Sequence, residues 1–123
     1  MNLSLGPIQI FVSDIEKAEK WYTKILGMKL IEKYPEIKCL HMKLGKAKFY
    51  IETPCKEWGE GYDKVKIGGR TPIIFYAKNI EKTVFKMKKA GVKFVEEISM
   101  RPWGELKAVF CDNDANEFNL IQK

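Results

Sequence analysis

Gly6-Pro7-Ile8-Gln9-Ile10-Phe11-Val12-Ser13-Asp14-Ile15-Glu16-Lys17 has a second, altered copy in this chain. It is Arg70-Thr71-Pro72-Ile73-Ile74-Phe75-Tyr76-Ala77-Lys78-Asn79-Ile80-Glu81-Lys82, with Pro72 standing 65 residues after Pro7. Each copy holds a proline, a short apolar run, an Asx residue able to cap a helix, and then Ile-Glu-Lys. Each continues in a helical pattern that stops at a glycine, Gly27 or Gly91. A unit this long that occurs only twice is not a solenoid repeat; it marks two fused half-domains.

Working outward from the repeat, β-branched Ile8 to Val12 reads as a strand. Asp14 reads as an N-cap, and Ile15, Ala18, Trp21 or Tyr22, and Ile25 recur at helical spacing up to a left-handed Gly27. Strands are expected over Lys29 to Tyr34, Ile37 to Leu44 and Lys46 to Glu52, with turns at Pro35-Glu36 and Gly45. The second copy repeats the order. Pro72 to Ala77 is a strand, Ile80 to Ala90 a helix with Val84 and Met87 inward, and Val92 to Glu97, Leu106 to Asp112 and Glu117 to Ile121 are strands. The predicted organisation is one domain of two modules, 1–52 and 71–123, joined by 53–70. That connector carries Gly59, Gly61, Gly68 and Gly69 beside Trp58 and Tyr62, and a loop of its length is either functional or a plain link.

With 123 residues, 46% of them hydrophobic and 12% aromatic, the chain can bury its own core. It has no run approaching a membrane span, and Met1 to Ile10 does not read as a leader. Cys39, Cys55 and Cys111 are odd in number and scattered, which points to free thiols in a reducing cytoplasm. The net charge of +6 comes from 20 lysines and two arginines, Arg70 and Arg101. A nucleic-acid reader would favour arginine, so the lysines of the second helix are read as a solvated face, and neither nucleic acid nor membrane is an expected partner.

Two tandem modules of this order, the segment from Asp14 to Gly27, Pro102-Trp103-Gly104, and the run from Phe110 to Leu120 resemble the vicinal oxygen chelate superfamily. That superfamily includes glyoxalase I, extradiol dioxygenases, fosfomycin-resistance transferases and bleomycin-resistance proteins. The resemblance covers nearly the whole chain. It implies an α+β fold of two βαβββ modules whose eight strands form an incompletely closed, barrel-like sheet around a central cup. It also implies a homodimer. In metal-dependent members, four His, Glu or Gln side chains in the cup hold a divalent cation. The matching positions here are Pro7, Tyr50, Pro72 and Asn119, and proline has no donor atom. No metal and no other cofactor is therefore expected. The resemblance implies the metal-free branch, in which bleomycin-resistance proteins sequester a ligand. His41 is read as an ordinary half-buried imidazole on a middle strand.

Period-two alternation then places Gln9 and Phe11, Tyr50 and Glu52, Ile74 and Tyr76, and Asn119 on the ligand face, and the resemblance implies that Trp103 borders it. Lys48, Glu117 and Ile121 share that parity. Apolar and aromatic walls with sparse polar groups suit a partly aromatic small molecule, although small barrels also fill themselves with such side chains. No catalytic residue is assigned. Ser4, Ser13 and Ser99 have no paired histidine, and Glu52 or Glu117 as a general base has no motif behind it. Two alternatives stay open: a glyoxalase- or dioxygenase-like enzyme with a displaced metal site, and a structural module whose cup is self-filled.

Overall fold

Both repeated Asx residues cap helices. In the computed structural model, which describes Met1–Lys123, Asp14 is the N-cap of α1 (Ile15–Leu26). Its carboxylate accepts hydrogen bonds from the backbone N–H of Glu16 at 2.8 Å and of Lys17 at 3.2 Å. Asn79 caps α2 (Ile80–Lys89) and accepts from the Lys82 N–H at 3.1 Å. Each bond satisfies an N–H that the first helical turn leaves without a partner. Gly27 ends α1 at φ 71°, a left-handed conformation that costs glycine little, and its N–H donates to the Tyr22 carbonyl. Ile15, Ala18 and Tyr22 face inward from α1, and Ile80, Val84 and Met87 from α2.

The chain divides into two compact units, Met1–Ile67 and Gly68–Lys123. In the first, β1 (Ile8–Phe11), β2 (Lys29–Tyr34), β3 (Cys39–Leu44) and β4 (Ala47–Glu52) form a sheet in the order β1-β4-β3-β2. In the second, β5 (Gly69–Ala77), β6 (Lys93–Met100), β7 (Leu106–Cys111) and β8 (Asn116–Gln122) form a sheet in the order β5-β8-β7-β6. The first and last strands of each unit run parallel, and the other pairs are antiparallel. The fold is therefore α+β with two βαβββ modules. Its eight strands are shared between two four-stranded sheets, neither of them closed.

Three boundaries differ from the sequence reading by more than one residue, each for a local reason. Pro35–Ile37 is a 3-10 turn that ends on Lys38 at φ 52°, so β3 begins at Cys39 instead of Ile37. β5 begins at Gly69 and carries Pro72 inside it. A proline is tolerated there because β5 is an edge strand and its register shifts between Arg70 and Ile74. β6 continues to Met100, past two register shifts that bend it. The connector also begins differently from a plain link. Lys56–Trp58 and Tyr62–Lys64 are 3-10 turns that belong to the first unit.

Each unit buries its own core. In the first, Ile10, Val12, Leu40, Met42, Phe49 and Ile51 line the helix side of the sheet. In the second, Phe110 lies 6.0 Å from Phe75, 6.0 Å from Phe94 and 5.5 Å from Phe118, centroid to centroid. Phe75 thus points behind the sheet, as its parity predicts. All three cysteines are free and buried, and no helix is long and apolar enough to cross a membrane.

Candidate functional site

Because β3 and β4 turn tightly through Gly45 and Lys46, their register places His41 opposite Tyr50, Cys39 opposite Glu52 and Lys43 opposite Lys48. β1 adds Gln9 beside Tyr50 and Phe11 beside Glu52. These side chains share the side of the first sheet that faces away from α1. The His41 and Tyr50 rings stack at 4.0 Å with only 11° between their planes, and Tyr34 leans on His41 at 4.8 Å. Gln9 donates from Nε2 to Glu52 Oε1 at 2.9 Å. Phe11 lies 6.3 Å from Trp58, whose indole N–H donates to the Ile37 carbonyl at 2.8 Å. Trp58 thus fixes the connector against the end of this face.

The four expected ligand-facing residues of the first module, Gln9, Phe11, Tyr50 and Glu52, are therefore brought together on one surface. His41 is there too. Its half-buried state is as expected, but it stands in an aromatic row and not among ordinary core neighbours. Counting equally outward from the Gly45–Lys46 turn would have paired it with Tyr50. Beside His41 and Tyr50, where β1 begins and β3 turns into β4, lies a depression of about 620 Å³ walled by Leu5, Pro7, Ile8 and Ile31. Ile31 reaches it because the β2–β3 register shifts between Leu30 and Glu32. The volume is in the range of small-molecule sites.

The remaining four expected residues lie in the second unit. Ile74 pairs with Asn119 and is half exposed, and Tyr76 pairs with Ile121 under the Lys123 ammonium, 5.0 Å from the ring centre. Asn119 donates from Nδ2 to the Ile73 carbonyl at 3.2 Å. Trp103 is 65% exposed, with its N–H donating to Glu105 at 2.7 Å, so it is not a core corner. On the same sheet, Glu96 accepts from Arg70 at 2.8 Å and from Arg101. The two guanidiniums, Arg101 first, hold the Glu96 carboxyl below the usual carboxylate range. Both arginines of the chain are thereby engaged with carboxylates.

Burial, reinforced by the Glu52 charge, pushes the Cys39 thiol up to about 12, so it is no nucleophile at neutral pH. Nor do the residues fit a divalent metal held in the manner of the superfamily named above. Pro7 and Pro72 offer no donor, Tyr50 is stacked on His41, and the Asn119 amide is turned to a backbone carbonyl. No three His, Cys, Asp or Glu side chains converge anywhere.

Comparison with known proteins agrees with this architecture. The family model described as the Glyoxalase/Bleomycin resistance protein/Dioxygenase superfamily matches residues 4–120. The uncharacterised protein YetH of Bacillus subtilis is 28% identical over 123 residues, covering 98% of each chain. Among solved structures, a superfamily member from Sphaerobacter thermophilus superimposes with a TM-score of 0.83 at 27% identity, over 99% of this chain and 98% of that one. The fosfomycin resistance protein FosX of Listeria monocytogenes shares the fold alone, with a TM-score of 0.76 at 18% identity, over 100% of this chain and 95% of its own.

Proposed function

Given that the chain belongs to the glyoxalase/bleomycin resistance protein/dioxygenase superfamily, we propose that it is a metal-free member that binds a planar small molecule without transforming it. The observation that carries this reading is the half-buried His41–Tyr50 stack, flanked by Tyr34 and bordered by the 620 Å³ depression. Two rings stacked face to face leave their edges open, and the face of another flat ring can meet those edges. Gln9 and Glu52, already paired, offer an amide and a carboxylate at its rim to orient the ligand. Chain pairing belongs to the same proposal. β1, β2, β5 and β6 stand at sheet edges, and an uncovered edge is a liability that a second copy removes. Light scattering that returns a monomer would discard the pairing alone.

The test is a thermal-shift and fluorescence titration with a panel of bicyclic aromatic compounds, run on the wild type and on His41→Ala. Binding that weakens in His41→Ala supports the reading. A panel in which no compound binds refutes it. So does stoichiometric divalent metal in protein purified without chelator, which would favour an enzyme with a displaced metal site.

A further inference from the structure

Three lysines lie in one row across the first sheet. Lys29 pairs with Lys43 on β2 and β3, and Lys43 pairs with Lys48 on β3 and β4. Directly paired residues point to the same side, and this row has the parity of His41 and Tyr50. Like charges placed directly opposite one another destabilise a sheet, and water relieves that only in part. Lys46 follows in the turn and, with Lys48, lines the depression. No aspartate or glutamate lines it. Only two lysines of the chain hold carboxylates, so what distinguishes this row is that its members stand directly opposite one another. Lys33 holds Glu16 and Glu19, and Lys88 holds Glu97. The row of Lys29, Lys43 and Lys48, together with Lys46, enters no ion pair.

We infer that the ligand of this face is an anion, an aromatic carboxylate whose ring lies over His41 and Tyr50 and whose charge meets the ammonium row. This inference rests on the binding reading above and names the ligand's chemical class. The aromatic floor and the lysines are successive rungs of the same ladder, His41 opposite Tyr50 and then Lys43 opposite Lys48, two residues along each strand. Two residues along a strand span about 7 Å. That is the distance from the centre of a bicyclic ring to a carboxylate on its edge plus one ion-pair contact. Glu52 sits on the opposite side of the aromatic floor, two residues the other way from Tyr50, and Glu32 stands opposite His41 on β2, so no carboxylate of this face stands in the ammonium row. An anion bound at the basic end keeps its charge away from Glu52.

The experiment compares 2-naphthoate with the isosteric neutral 2-naphthamide and with inorganic phosphate, by titration at low and high salt. Two or three exposed ion pairs of modest strength make the carboxylate about fivefold to tenfold tighter than the amide at low ionic strength. Salt should erase that margin while leaving amide binding unchanged. Lys43→Gln with Lys48→Gln should remove the preference and leave the ligand-free protein at least as stable, since a repulsion is relieved. Amide binding equal to carboxylate binding overturns the inference and leaves the binding reading standing. Phosphate binding as tight as naphthoate binding overturns it as well, by making the aromatic floor irrelevant. Failure of both naphthyl probes removes the binding reading and this inference together.

Discussion

Replacing Tyr50 with alanine separates a binding surface from a packed interior. The Tyr50 ring is half-buried and stacked on His41 at 4.0 Å and 11°. Stacking of this kind contributes ~0.5–1.5 kcal/mol beyond simple burial. Part of the ring already faces water, so the hydrophobic loss is a fraction of that for a core aromatic. Together these put the cost of Tyr50→Ala at about 1–2 kcal/mol, read as a shift of the urea midpoint at constant slope. Phe118→Ala is the matched control. Phe118 is fully buried, with its ring centroid 5.5 Å from those of both Phe75 and Phe110, and its loss should cost ~3–5 kcal/mol. A flat ligand that rests on Tyr50 loses a comparable stacking term, so its affinity should fall about fivefold to tenfold in Tyr50→Ala and be nearly retained in Tyr50→Phe. The reasoning is refuted if Tyr50→Ala is as destabilising as Phe118→Ala, or if the mutant binds ligand as tightly as the wild type.

Four further outcomes follow from the geometry. Gly68→Ala should destabilise by roughly 1–3 kcal/mol in the same urea assay, because φ is +91° and an added Cβ would stand 2.7 Å from the Asp114 carbonyl oxygen. Trp103→Ala should cost less than ~1 kcal/mol, as a mostly exposed side chain does, and a larger midpoint shift would contradict its placement. Cys39 should resist thiol reagents at pH 8 in the native state. The folded protein retains its proton up to about 12, whereas an ordinary thiol loses it near 9.0, so this contribution is whole below pH 9.0 and shrinks as pH rises toward 12. Glu52→Gln should weaken both effects. Glu96 titrates the other way. Its lowered pKa stabilises the fold above 4.5 and is lost as acid is added through the folded value, so Glu96→Gln should flatten the acid limb of the stability curve.

The fold was legible where local chemistry and the repeat agreed. Asp14 and Asn79 announce caps, Gly27 a left-handed stop, and the 65-residue offset makes each half a check on the other. Legibility failed where a residue with a strong local meaning was overruled by position. Pro72 reads as a boundary, yet an edge strand with a register shift accepts it, and β5 extends back to Gly69. Pro35 reads as a simple turn, yet the chain spends three residues on a 3-10 turn before β3. For the site, alternation placed Gln9, Phe11, Tyr50 and Glu52 on one face because period two needs no register. The partners of Tyr50 were hidden because cross-strand neighbours do need it. His41 and Lys43 acquire meaning only once the hairpin turn is fixed to the residue.

Every ladder in this molecule closes within its own half of the chain. β1 finds β4 when Phe49 meets Ile8, and β5 finds β8 when Asn116 meets Gly69. During synthesis, the first sheet therefore has all four strands before any part of β5 exists, and no exposed edge waits for a distant segment to be translated. Pulse-labelled hydrogen exchange should record this as protection arriving in two blocks. A chain built this way folds in two short, local episodes, and the time during which half-made sheets can meet other chains is set by the length of one module, not of the whole protein.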